Sequence, residues 1–233
     1  MNESNTFNKV NEIKVPCNIL LVAMTNGGKS HYCVHKLLPQ LGKQIDRLVI
    51  MSPTLELNGD YDHIKADDKS VFKVSKNISD AFEEIIKSQS ALFDSYKMGM
   101  IKKSQVPQVC VILDDCISER ILQGERSVVS KFSIKSRHYR ISLVIMTQRI
   151  NALPRQLRLN CKYFICFSVA GYSELERVML EYVPKRYHRL FQDKMLDIFS
   201  VPFNHLYIDN YERDIRKRMF VNGNEMIDWD SLT

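Results

Sequence analysis

Residues 18–30 read Asn-Ile-Leu-Leu-Val-Ala-Met-Thr-Asn-Gly-Gly-Lys-Ser. From Ile19 to Ala23 every residue is apolar, and the run is bounded by polar positions. An uninterrupted apolar run of this length predicts a strand buried on both faces. A polar turn with Gly27 and Gly28 follows, then Lys29-Ser30. After it comes the helix-like stretch Tyr32-Cys33-Val34-His35-Lys36-Leu37-Leu38, which Pro39 is expected to close. Strand, glycine turn, Lys-Ser and helix, in that order, are the parts of a phosphate-binding P-loop.

The order has a chemical reason. The backbone N–H groups of Asn26, Gly27, Gly28 and Lys29 are expected to cradle phosphate oxygens, helped by the partial positive charge of the helix N-terminus. The two glycines let the backbone approach without a Cβ clash. Lys29 is expected to reach the β- and γ-phosphates of ATP, and the Ser30 hydroxyl to ligate Mg²⁺. The expected nucleotide-binding set is Thr25, Asn26, Gly27, Gly28, Lys29, Ser30 and His31. The motif usually begins with glycine, and here that position is Ala23. The turn must therefore start in a conformation that alanine tolerates.

The chain has 233 residues, which suits one α/β domain, and its 45% hydrophobic content supports a full core. No apolar run reaches the roughly 18 residues of a membrane span. Met1 to Asn8 is polar, with no signal-peptide core. None of the six cysteines forms a C-x-x-C pair, and Cys110 and Cys166 fall inside strand-like runs, where they read as small core residues of a reducing compartment. Net charge is +6, but its placement matters more. Between Lys131 and Lys162 there are eight Lys or Arg and no Asp or Glu. Such a stretch points to a polyanion surface, although single members can instead serve nucleotide or subunit contacts.

Residues 1–16 read as a lead-in, 17–210 as one domain and 211–233 as a tail. Further strands are expected at 47–51, 71–74, 109–113, 141–146 and 163–167, with a terminal hairpin of 198–201 and 205–208. Residues 55–70 read as a loop or insertion. Helices are expected over 78–98 with a cap at Ser79-Asp80, over 117–136, from Pro154, from Ser173 with a capping-box pattern, and from Pro184. Strands alternating with helices predict a three-layer, mainly parallel α/β sheet.

The run Val109-Cys-Val-Ile-Leu113 ends in Asp114-Asp115. Apolar residues closing on acid have the form of a Walker B strand, with Asp114 in the Mg²⁺ shell and Asp115 polarising the attacking water. Two adjacent acids repel, which cations at the site offset. Gln148 closes the next strand, where ligands of α/β sheets lie. A neutral amide there can contact the γ-phosphate or orient water. His31 and His35 are four apart, but no third ligand or H-E-x-x-H pattern accompanies them.

With these stands the block Ser136-Arg137-His138-Tyr139-Arg140-Ile141-Ser142, running through Thr147-Gln148 to Leu153-Pro154, Arg158 and Asn160. Together they resemble the poxvirus-type DNA-packaging ATPases of large DNA viruses, within the FtsK/HerA superfamily, over roughly residues 17–182. The resemblance implies a three-layer P-loop NTPase of the ASCE/RecA-like class, driven by ATP with Mg²⁺. It implies a motor that moves double-stranded viral DNA into a preformed capsid, working as a pentameric or hexameric ring. A capsid vertex or virion membrane protein is the implied partner, and the host cytoplasm or viral factory the implied place. Carried over, Asp115 activates water and Gln148 senses the γ-phosphate. A neighbouring subunit supplies an arginine, for which Arg137 is the first candidate and Arg158 the second. Cellular members usually carry Glu where this chain has Asp115. A nucleotide-gated assembly factor and a small-molecule kinase are the rival readings.

Overall fold

The computed structural model describes residues 13–57, 59–62, 64, 70–116, 122, 124, 126–214 and 217–229. Strands β1 (Asn18–Val22), β2 (Arg47–Met51), β3 (Val71–Val74), β4 (Val109–Asp114), β5 (Ile141–Thr147) and β6 (Tyr163–Cys166) pair in parallel. Strands β7 (Leu206–Asp209), β8 (Met219–Val221) and β9 (Glu225–Met226) continue the sheet antiparallel. The spatial order is β3-β2-β4-β5-β1-β6-β7-β8-β9.

The central strands are apolar throughout because both faces are covered. Along β1, Leu20 and Val22 join one buried cluster while Ile19 and Leu21 join the other. Strand alternation thus separates two cores, one on each side of the sheet. One core packs under α3 (Ile78–Lys97), α4 (Val128–Ser133), α5 (Arg155–Leu159), α6 (Tyr172–Tyr182) and α7 (His188–Ser200). The other packs under the helix that follows the phosphate loop and under Tyr61.

That helix runs through Pro39 instead of stopping there. It starts as α1 (Lys29–Tyr32), widens into a π turn (Cys33–Leu37) and resumes as α2 (Leu38–Gly42), with the Leu38 N–H bonded to the Cys33 carbonyl. Proline has no N–H and crowds the carbonyl four residues before it, and a wider turn accommodates both. The long helix α3 starts one residue before the expected cap, after Asn77 at φ 51°, and α6 follows Gly171 with no side-chain cap bond.

The predicted hairpin of 198–201 and 205–208 is not formed. Phe191, Met195 and Ile198 recur at helical spacing and carry α7 to Ser200, so β7 pairs with β6 and β8 instead. The segment read as a tail supplies β8, β9 and Trp229, which is buried against Phe191 and Tyr187. Of the helix expected over 117–136, α4 is described, starting behind Ser127, whose side chain caps Ser130 N–H; positions 117–121, 123 and 125 lie outside the described residues, as do 1–12 of the lead-in and 65–69 of the loop.

Candidate nucleotide and metal site

Strands β1, β4 and β5 are parallel neighbours in the order β4-β5-β1, so their carboxyl ends share one edge of the sheet. The register aligns Val22 with Thr147 and Asp114 with Met146. The phosphate loop leaves β1, the acid pair closes β4, and Gln148 follows β5 between them.

The loop needs its residue types. Asn26 has φ 58° and Gly28 φ 88°, two left-handed steps that asparagine and glycine take at least cost. A Cβ on Gly27 would lie 2.9 Å from the Met24 carbonyl oxygen and 3.0 Å from the Ala23 Cβ, so the methyl of Ala23 fills space that only glycine opposite can leave. Ala23 itself has negative φ, consistent with a start alanine tolerates. The Gly27 N–H, expected among the phosphate donors, instead donates to Met24 O at 3.0 Å and closes the turn.

Four side chains meet over this edge. Lys29 Nζ, on a side chain 9% exposed, lies 3.1 Å from Asp115 Oδ2. Gln148 Nε2 donates to the same oxygen at 3.2 Å, and Thr25 Oγ1 donates to Gln148 Oε1 at 2.8 Å. A continuous polar chain therefore links the phosphate loop, the strand-end amide and the second acid. Asp115 adopts φ 51°. Asp and Asn are enriched in that left-handed region, which gives a backbone reason for aspartate rather than glutamate here.

Asp114 lies deeper. Its Oδ2 accepts from Tyr61 OH at 2.8 Å, and the Ser30 hydroxyl hydrogen-bonds to its carboxylate. Burial pushes the Asp114 carboxyl up to about 6, with Tyr61 and Ser30 pulling the other way. Burial also drives the Tyr61 phenol well above its usual range, so it stays a donor. A hydroxyl and a buried carboxylate in contact form a hard oxygen pair whose desolvation a divalent cation would relieve. Ser30 and Asp114 therefore fit Mg²⁺. Tyr61 is a site residue that the sequence reading missed. It sits in a stretch whose polar composition signals only a loop, and its burial shows only in three dimensions.

The two arginines separate. Arg158 is 4% exposed and pairs with Glu181 through Nε at 2.7 Å and Nη2 at 2.5 Å, while its Nη1 donates to the Ile150 and Leu153 carbonyls. A guanidinium enclosed this way is committed to partners within its own chain, which argues for a structural role and against the expected one in a neighbouring subunit. Arg137 is exposed, in the turn before β5, with its guanidinium 5.1 Å from the Tyr211 ring centroid. It lies at the amino end of a strand whose carboxyl end carries Gln148, about 23 Å away at ~3.3 Å per residue. It cannot act on its own chain's loop.

Much of the Ser136–Asn160 block is scaffold. Asn18 Nδ2 donates to the Ser133 carbonyl at 2.8 Å and Asn18 Oδ1 accepts from Ser136 Oγ at 2.9 Å; Ser142 Oγ accepts from Cys17 N–H at 3.1 Å. The basic run divides: Arg137, Arg140 and Lys162 precede β5 and β6, Arg149 and Arg155 follow β5, and Arg158 is buried. The rings of His31 and His35 lie tilted at 43° with centroids 4.3 Å apart, and the described residues hold no group of three metal-ligating side chains. All six cysteines are buried, and no described helix is long and apolar enough to cross a membrane.

A strand set between the phosphate-loop strand and the acid strand, with a polar residue at its tip, is the arrangement of the additional-strand class of P-loop folds. The family model of the Poxvirus A32 protein matches residues 4–206, and the chain belongs to that family. The chain is 23% identical over 155 residues to the uncharacterized protein L437 of Acanthamoeba polyphaga mimivirus, a match that takes in 66% of this chain and spans about half (53%) of that relative. Among solved structures, the DNA-packaging ATPase B204 of Sulfolobus Turreted Icosahedral Virus superposes with a TM-score of 0.63 at 16% identity, over 88% of this chain and 96% of that one. The genome packaging NTPase B204 of Sulfolobus turreted icosahedral virus 2 in complex with ATP-gammaS gives 0.64 at 16%, with the same coverage. The pCW3 conjugation coupling protein TcpA with ATPgS gives 0.63 at 16%, over 92% of this chain and 62% of that one.

Proposed function

We propose that this protein is a viral genome-packaging ATPase that spends ATP at the β4-β5-β1 edge to drive double-stranded DNA into a preformed capsid. The observation that carries the reading is the contact chain Thr25–Gln148–Asp115–Lys29, with Asp114 and Ser30 beneath it. Family membership and the named packaging enzymes among its fold neighbours support it.

The residues divide the work. Incoming phosphates draw Lys29 off Asp115 and onto their oxygens, which frees Asp115 Oδ2 to accept the proton of the attacking water. Gln148, already bonded to Asp115 and to the loop, aligns that water with the γ-phosphate. Ser30 and Asp114 would hold Mg²⁺, which would supply positive charge to offset that of the phosphates. The bond to the leaving β-phosphate oxygen breaks in line with attack, and transition-state charge is held by Lys29 and an arginine in trans. Arg137 is the proposed donor: it is exposed and beyond reach of its own loop, so it can complete only another subunit's site in a pentameric or hexameric ring. Exposed basic residues of the 131–162 run are the proposed grip on DNA phosphates, without base reading. A capsid vertex or virion membrane protein is the proposed anchor, and the host cytoplasm or viral factory the proposed site of action.

The test is phosphate release by the assembled protein with and without linear duplex DNA. DNA-stimulated turnover that Lys29→Ala abolishes is the expected result. Tight ATP binding with negligible turnover on DNA would make the protein a nucleotide-gated switch, and a phosphorylated small-molecule product formed without DNA would make it a kinase.

A further inference from the structure

We propose that the open cavity beside the phosphate loop seats the base of the nucleotide, a purine, with the Phe203 ring as its stacking platform. The proposal rests on the nucleotide site described above and names the part of the ligand that site leaves unplaced. The cavity, of about 740 Å³, lies among α1, the chain at 202–205 and the turn at 222–224. That volume is within the range of ligand pockets. Gly28 and His31 line it, flanking Lys29-Ser30, whereas Asp114, Asp115 and Gln148 do not. A nucleotide whose terminal phosphate is at Lys29 therefore finds this cavity open at its other end, away from the reacting groups.

Phe203 combines three features that are unfavourable in an empty site. It has φ 65°, a left-handed conformation that bulky side chains rarely adopt. The residue is 69% exposed, a large apolar side chain left in water. Its Cδ1 lies 2.9 Å from where a Gly28 Cβ would stand, so the ring rests directly against the loop backbone. Strain at one residue is maintained where a function needs the geometry, and a flat partner covering the ring would recover its lost burial. Deeper in the same wall, the Nε2 of His205 is buried without a hydrogen-bond partner among the described residues. Its ring packs at 4.8 Å centroid distance from both Tyr32 and Phe167. The wall behind the platform is thus aromatic, suited to a flat, uncharged heteroaromatic guest. A purine offers a larger face to Phe203 than a pyrimidine and gains more from stacking.

The experiment compares binding of ATP, CTP and inorganic tripolyphosphate to the full chain and to its Phe203→Ala and Phe203→Trp variants by calorimetry. Phe203→Ala is expected to weaken ATP about tenfold or more, to leave tripolyphosphate unchanged, and to shrink the preference for ATP over CTP. Phe203→Trp is expected to keep ATP affinity, with indole emission quenched by ATP but not by tripolyphosphate. Trp229, the native indole, is buried against Phe191 and serves as the internal reference. Unchanged or tighter ATP binding in Phe203→Ala would overturn the proposal and make the ring a cover. An equal loss of ATP and tripolyphosphate would also overturn it, because the ring would then act only through the loop. A wild-type chain that binds neither ATP nor tripolyphosphate overturns the nucleotide-site reading itself, an outcome distinct from both.

Discussion

Asp115 sits at φ 51° with one carboxylate oxygen shared by Lys29 and Gln148. Asparagine tolerates that backbone as readily as aspartate, so Asp115→Asn removes charge and basicity without disturbing the strand tip. The variant should bind ATP within a few-fold of wild type and hydrolyse it at least ~100-fold more slowly, in line with losing a general base. Loss of nucleotide binding in that variant would make Asp115 a structural residue. His205 gives a second residue-scale test. Burial lowers its imidazole from 6.5 to about 4. Between those values the unfolded chain binds the proton and the folded one does not, so stability falls as pH falls through that window. Between pH 7.5 and 5 the loss is about 2 kcal/mol from this group. Asp114, raised by burial, titrates with the opposite sign. The comparison is therefore urea unfolding of wild type against His205→Phe, whose pH slope should differ by that amount. At this scale the sequence named Lys29, Ser30, Asp114, Asp115 and Gln148 because their spacing on strand tips is local. Tyr61 and His205 escaped because burial by distant segments gives them their roles.

Elements were legible where their pattern was one-dimensional. The apolar runs of β1, β2, β4, β5 and β6 needed no tertiary knowledge, since strands covered on both faces carry no polar alternation. Proline at 39 misled, because the penalty against it applies to an α turn and a π turn relieves it. The surroundings of Arg158 were illegible for a different reason. Its side chain runs from α5 to Glu181 on α6, a pairing 23 residues distant that no motif announces. Removing one partner of a buried ion pair leaves the other charge uncompensated, so Arg158→Ala should cost roughly 3–5 kcal/mol of unfolding free energy. Turnover per folded molecule should stay near wild type. A large fall in turnover at unchanged stability would return Arg158 to the catalytic machinery.

At the scale of the whole molecule, the sheet carries the groups proposed to handle phosphate, metal and water on one edge and an exposed arginine on the other. A single chain has no way to bring Arg137 to its own loop, which is the geometric case for a ring. The C-terminal segment closes the same body. Met219, Val221, Ile227 and Trp229 are buried in the core that includes Phe191. At ~1.5–3 kcal/mol per buried apolar side chain, their loss rivals the ~5–15 kcal/mol stability of a whole domain. A chain ending at residue 210 should therefore be insoluble or lack cooperative thermal unfolding by circular dichroism. A folded, nucleotide-binding 1–210 fragment would show the segment to be dispensable.

The sequence by itself determined the order of strands and tips, because a phosphate loop, an acid pair and a strand-end amide are each written in consecutive residues. Only the tertiary structure decided which charged groups stay available. It buried Arg158, bonded Tyr61 to Asp114, placed Arg137 on the far edge and set Phe203 against the loop. Each of those outcomes depends on desolvation and contact between segments far apart in the chain, and neither quantity exists until the sheet has assembled.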